Sequence, residues 1–440
     1  MDIGAIQGYI EANRERFLEE LVSFCRIPSI AAEGRGLDEA AAWASARLER
    51  LGATVRTITL PGAIPILYAE LGPDDASRTL LIYNHYDVQP ADPLDLWETA
   101  PFAPSIREGK FFARGVADNK ANFLSRVQAV EAWQATSGGL PLRILWVIEG
   151  EEEIGSPHLH PFAETYGDLL RPADGCLWEA GGRDAGDRPV IYSGLKGIAY
   201  FELWSRGART DLHSAWGTVV PNPAWRLVWA LSTLKDRDER ILIEGFMDAV
   251  RPPTPAELAL LQELPWDQES LLHAYGLDSF VGQLDGLDAK IKHLYQPTCT
   301  ICGFESGYTG PGSKTVLPSR AYAKLDFRLV PDLTPEHVAT LLRRHLDQHG
   351  FADIEIVYLD GEMPAQGPVD APIVTAARRA IRRATGQEAI YQPRMAGSGP
   401  MYPLCDMLGI PVVGTGTGWI GSNIHAPNEN IRLSDYWEGI

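Results

Sequence analysis

The sequence predicts an α/β fold in which a largely parallel sheet, covered by helices, is interrupted by a smaller α+β insert. Three observations carry this expectation. Short apolar strands alternate with amphipathic helices early in the chain, the pattern of a parallel sheet covered on both faces. Polar and charged residues collect where the apolar runs end, and such sheets hold ligands at the carboxyl ends of their strands. From about Gly197 the pattern changes, and after Gly361 the first pattern resumes in "APIVTAARRAIRRATG" and "IPVVGTGTG".

Residues 5–25 and 38–51 read as amphipathic helices, with Pro28 and Gly52 as stops. The stretches "ATVRTITL", "IPILYAEL" and "TLLIYNHYDV" read as strands, "ANFLSRVQAVEAWQ" as a helix, and "LRILWVIEG" and "GCLWEA" as strands. In the insert, "IAYFELWSRG" precedes a helical stretch, then "AYAKLDFRLVP", the helix-like "TPEHVATLLRRHLDQHG" and "DIEIVYLD". That order is strand–helix–strand–helix–strand. The Pro- and Trp-rich segment 252–297 reads as irregular. The expected organisation is a catalytic domain formed by residues 1–195 and 362–440, with residues 196–361 inserted as a lid and dimerisation domain.

Composition excludes several function classes. With 58 acidic against 39 basic residues, the formal charge of −19 argues against a nucleic-acid surface. No basic segment followed by an apolar one opens the sequence, and no run of about 18 apolar residues exists. A signal peptide and a membrane span are therefore not expected. Five scattered cysteines in 440 residues suit reduced thiols in a cytoplasm better than a disulfide framework.

The stretch "WVIEGEEEIGSPH" poses the chemical question. An apolar run ends in Glu149, Glu151, Glu152 and Glu153, and like charges crowded beside a buried segment require a positive partner. A solvated helix N-terminus would be the ordinary answer. Other strand ends suggest a metal instead. His85 and Asp87 in "NHYDV" stand two residues apart, and a metal-bound histidine commonly donates its second ring N–H to a carboxylate. Asp118 lies in "RGVADNK", Glu179 in "LWEAGG" and His425 in "GSNIHAPNEN". Two histidines with Asp118, Glu153 and Glu179 would ligate two divalent ions if Asp118 bridged them, three carboxylates and one hydroxide offsetting two dications. Glu152 would remain free beside them as a base.

Taken in order, "NHYDVQP", "RGVADNKA", "EGEEEIGS", "DLHSA", "SKTVLP", "DFRLVP" and "NIHAPNE" resemble the M20 metallopeptidases, most closely their nonspecific-dipeptidase and carnosine-dipeptidase branch. The resemblance covers nearly the whole chain. It implies a pair of Zn²⁺ or Mn²⁺ ions and an inserted lid through which the protein forms a homodimer. By motif, His85 binds one metal and is oriented by Asp87, Asp118 bridges, Glu152 is general base and acid, and Glu153 binds the other metal. Glu179 completes the first site and His425 the second. His213 of "DLHSA" would polarise the scissile carbonyl from the partner subunit, and Thr315, Arg328 and Ser398 would hold the substrate carboxylate and backbone. Asn119, Ala121 and Ala215 depart from common residues of the family without removing a ligand.

Competing signals are weaker. The Cys299/Cys302 pair has no second pair or nearby histidine to complete a zinc site, and His345/His349 follow the arginine-rich end of a helix. His158 and His160 would diverge on a helix, and "GTGTG" lacks the lysine of a phosphate loop. Neither HExxH nor GxSxG occurs. The expectation is a cytoplasmic, metal-dependent hydrolase of dipeptides or short peptides. The same site would also suit N-acyl, N-succinyl or N-carbamoyl amino acids, and an inactive assembly module would require a lost ligand.

Overall fold

The computed structural model describes residues 3–440. The chain divides into two units: one of residues 1–194, 367–393 and 400–440, the other of residues 195–366 and 394–399.

The first unit is built on a mixed sheet whose centre is parallel. The strand Thr79–His85 lies between Arg143–Glu149 and Gly175–Trp178, and Val412–Gly414 continues beyond the latter, all parallel. On the other side, Ile66–Leu71 and Thr54–Ile58 add antiparallel strands. Near-continuous burial of Ile144 to Glu149 and of Leu81 to His85 follows from helices covering both faces. The helices Ile3–Cys25, Leu37–Arg50 and Ala121–Ser137 contribute Phe24, Ala44 and Phe123 to one core with Trp146 and Ile148.

In the second unit, an antiparallel sheet runs in the order Thr300–Ser306, Arg320–Leu329, Gly197–Arg206, Glu355–Glu362. Its two central strands alternate buried and part-exposed residues, so each has one apolar face. That face, with Phe201, Leu203, Leu325 and Phe327, packs against Leu227 and Ala230 of the helix Pro223–Leu231 and Val338 and Leu342 of the helix Pro335–Gln348. Both helices start with proline at an early position behind a capping side chain, Asn222 and Thr334.

Two sequence expectations are corrected here. The segment 252–297 is not irregular: it holds the helices Pro255–Glu263, Gln268–Tyr275 and Gly286–Tyr295. The first has a full capping box, in which the Thr254 side chain accepts from the Glu257 N–H and the Glu257 side chain accepts from the Thr254 N–H. Each is only 8 to 10 residues long, too short for a clear period among so many prolines and tryptophans. The edge strand Thr300–Ser306 was also missed, because most of its residues are exposed and none of the alternation of a half-buried strand survives. Cys299, just before it, is buried, Cys302 within it is exposed, and all five cysteines are unpaired.

The packing generates a stability prediction. Phe327 is fully buried and meets Phe201 edge-on with ring centroids 5.8 Å apart. Phe327→Ala should lower unfolding free energy by about 3–5 kcal/mol, read by urea denaturation.

Candidate metal centre

The parallel strands end at one place, and the acidic residues gather there. The strand Thr79–His85 ends on His85, which is fully buried. Asp87 lies just past the strand rather than within it, also fully buried, with its Oδ1 3.3 Å from the His85 Nδ1. The same carboxylate accepts hydrogen bonds from the Glu152 N–H at 3.3 Å and the Glu153 N–H at 2.9 Å. Asp87 thus fixes both a histidine ring and the 3₁₀ turn Glu152–Ile154. The acidic run is this turn at a strand end, and not the start of a long solvated helix.

Asp118 occupies the middle of the arrangement. Its Oδ1 is 3.0 Å from the His85 Nε2, and its Oδ2 is 3.3 Å from the His425 Nε2. Glu179 Oε2 lies 3.4 Å from the His85 Nε2, and Glu153 Oε2 lies 3.1 Å from the His425 Nε2. Two sets result, His85–Asp118–Glu179 and His425–Asp118–Glu153, joined by the two oxygens of one carboxylate. Glu152 comes close as well, since one of its oxygens lies within 4.8 Å of ligand atoms of His85 and Glu153. It has the reach of a ligand.

Electrostatics set the chemistry. Burial raises the Glu179 carboxyl to about 8, helped by Asp118 and Glu149, and burial with the Glu179 charge raises Glu152 well above the usual range. Glu153 is raised by burial and then by Asp118. Asp118 moves the other way: burial opposes it, but hydrogen bonds with His425 and His85 hold its carboxyl far below the ordinary value. His425 is correspondingly raised to about 10 by Asp118 and Glu153. Moreover, Glu179 Oε2 is buried with no hydrogen-bond donor. Such an oxygen, among imidazole nitrogens and further carboxylates, suits a divalent cation.

Residues that the motifs did not single out hold this geometry. Glu429 accepts from Arg114 Nη1, the Gly115 N–H and the Ala117 N–H, each at 2.8 Å, and from the Asp118 N–H at 3.1 Å. It therefore ties the loop bearing Asp118 to the segment bearing His425. Arg126, on the helix Ala121–Ser137, donates to the carbonyls of Tyr83, Glu179 and Thr415 and so links three strand ends. Asn119, an uncommon residue for the motif, donates to the Glu179 carbonyl at 3.0 Å. The "GTGTG" stretch links the strands Val412–Gly414 and Gly418–Trp419: a Cβ on Gly416 would lie 2.5 Å from Asn122 Oδ1, so only glycine permits the approach. Nothing in the sequence marks Arg126 or Glu429 except their places in or beside quoted motifs.

The remaining candidates belong to the second unit. His213 is exposed, and its Nδ1 accepts from the Ala215 N–H at 3.1 Å. That bond leaves the proton of a neutral ring on Nε2, which lies 3.4 Å from Thr315 Oγ1. Arg328 Nη1 donates to Ser398 Oγ at 2.8 Å. The rival histidines have local partners: His158 faces Glu151 at 2.7 Å, and His345 stacks on His349 with centroids 4.1 Å apart.

Residues 81–440 match the model of peptidase family M20/M25/M40. The chain belongs to this family. As an M20 metallopeptidase it is similar to the human Beta-Ala-His dipeptidase, with 30% identity over 98% of this chain and 89% of that protein. It is also 30% identical to the Cys-Gly metallodipeptidase of Schizosaccharomyces pombe, over 79% of this chain and 76% of the other. Among solved structures it resembles an M20 family metallo-carboxypeptidase from Sulfolobus solfataricus, at 40% identity and a TM-score of 0.90, covering 96% of both chains. The fold class read from the sequence and the M20 resemblance both stand.

The buried Arg114–Glu429 pair yields a second prediction. Each side chain is 1% exposed, so Glu429→Ala leaves an uncompensated cation and three unpaired N–H groups. A loss of about 3–5 kcal/mol is expected in chemical denaturation of the metal-free protein.

Proposed function

We propose that this M20 metallopeptidase hydrolyses the amide bond of dipeptides or short peptides. Two divalent ions, Zn²⁺ or Mn²⁺, would be held by His85, Asp118 and Glu179 and by Asp118, Glu153 and His425. The observation that carries the reading is the Asp118 carboxylate, which turns one oxygen to each histidine. The names of the similar proteins, two dipeptidases and a metallo-carboxypeptidase, support the substrate class.

Bound there, the ions supply the positive charge that acidifies water and polarises an amide carbonyl. The protein supplies the rest. Asp87 orients the His85 ring. Glu152, whose carboxyl burial and the Glu179 charge raise well above the usual range, accepts the proton of the attacking water and returns it to the leaving amine. His213 presents its Nε2–H to the developing oxyanion. Arg328 and Ser398, already hydrogen-bonded, receive the substrate carboxylate, with Thr315 placed beside His213 to hold the backbone.

A homodimer formed through the second unit is part of the same proposal. Its helix Pro223–Leu231 exposes Trp225, Val228 and Trp229, and its edge strand exposes Ile301 and Phe304. An apolar helix face and an open strand edge are surfaces that a second copy can cover. The unpaired cysteines suit a reducing compartment, in keeping with a cytoplasmic protein. Among the described residues no helix is long and apolar enough to cross a membrane.

Two outcomes test the proposal. Glu152→Gln should retain its metal content while turnover falls by about 10²–10⁴-fold, because only the proton acceptor is removed. Near-normal turnover of the metal-loaded variant would exclude Glu152 as the base. Mixing Glu152→Gln subunits with His213→Ala subunits should restore activity, since one site of each mixed dimer then combines an intact Glu152 with the partner's intact histidine. Verified mixed dimers with no recovered activity would place His213 within its own subunit's site.

A further inference from the structure

The second unit contains a cavity of about 600 Å³ that meets the proposed chemistry only at Arg328. Its size is that of a small-molecule pocket. The walls come mainly from the segment whose helices escaped sequence reading: Trp266, Tyr275, Phe280 and Leu284 line it, and the Trp266 and Phe280 rings pack at 5.7 Å. Aromatic and aliphatic walls take an apolar group.

Charged groups on the lining are mostly basic: Lys235 is paired with Glu239, Arg328 Nε lies 3.2 Å from Asp326 Oδ2, and Lys196 and Lys292 face the same space. Lys196 is 2% exposed, and its amine donates to the carbonyls of His293 at 2.7 Å and Gln296 at 2.6 Å, closing the end of the helix Gly286–Tyr295. No described carboxylate pairs with it. Burial, then the charges of Arg394 and Arg328, lower this amine to about 7. The cavity therefore combines an apolar body with a cationic border, which complements a carboxylate carrying a bulky apolar group.

The C-terminal residue of a peptide is such a group. Its carboxylate and its side chain share one carbon, so fixing the first beside Arg328 confines the second to the neighbouring space. We infer that this cavity receives the side chain of the substrate's C-terminal residue and selects large apolar or aromatic side chains over glycine and lysine. The inference rests on the reading of Arg328 as the carboxylate anchor. Lysine is disfavoured because its ammonium would enter a border that is already cationic.

The test uses the full-length, metal-loaded enzyme with Ala-Phe, Ala-Gly and Ala-Lys. Ala-Phe should exceed both others in kcat/KM by about 10-fold or more. Phe280→Ala and, separately, Trp266→Ala should erase that preference by lowering Ala-Phe kcat/KM, while unchanged circular dichroism and metal content show that the variants fold. Cleavage of all three peptides at equal rates, or a preference untouched by both variants, overturns the inference. A binding measurement separates it from the proposed reaction. The metal-free protein should bind 3-phenylpropionate, and Phe280→Ala and Arg328→Met should each weaken that binding. If the probe binds in this way and no dipeptide is cleaved, the pocket stands and the peptidase reading falls. If the probe does not bind at millimolar concentration, the pocket assignment falls even where dipeptides are cleaved.

Discussion

Asp118 shares its two carboxylate oxygens between two histidines, and the rest of the first unit is arranged to make that possible. Four carboxylates converge with the buried His85 and the half-exposed His425. Burial and mutual repulsion raise three of them, and only Asp118, bonded to both rings, is held low. Two imidazoles cannot balance four acids. The shortfall of positive charge, visible first in the acidic run of "EGEEEIGS", is what the proposed dications would make good.

The scaffold supplies rigidity where that charge must sit. Parallel strands bring His85, the turn after Glu149, and Glu179 to one edge of the sheet. Asp87 then binds the acidic turn through two N–H groups, and Gln89 donates to the Glu153 carboxylate at 2.9 Å. Glu429 locks the Asp118 loop from the segment that also carries His425. His85, Asp118 and Glu153 are thus each held by another residue, which fixes their geometry among convergent like charges.

Much of this was legible in the sequence, for physical reasons. Strands buried on both faces leave continuous apolar runs, so the ends of those runs could be read, and the motif residues at them converge in space. The short helices of segment 252–297 and the exposed edge strand Thr300–Ser306 left no comparable period. Arg126 and Glu429 escaped notice because their work is done through backbone carbonyls and N–H groups distant in sequence, a relation that only the folded chain displays. The cavity walled by Trp266 and Phe280 was hidden for the same reason.

Anomalous diffraction from Zn²⁺- or Mn²⁺-loaded crystals tests the central claim most directly. The account predicts two peaks roughly 3.5–4 Å apart, one bonded to His85, Asp118 and Glu179, the other to Asp118, Glu153 and His425. A single peak, or two peaks that do not share Asp118, would contradict it.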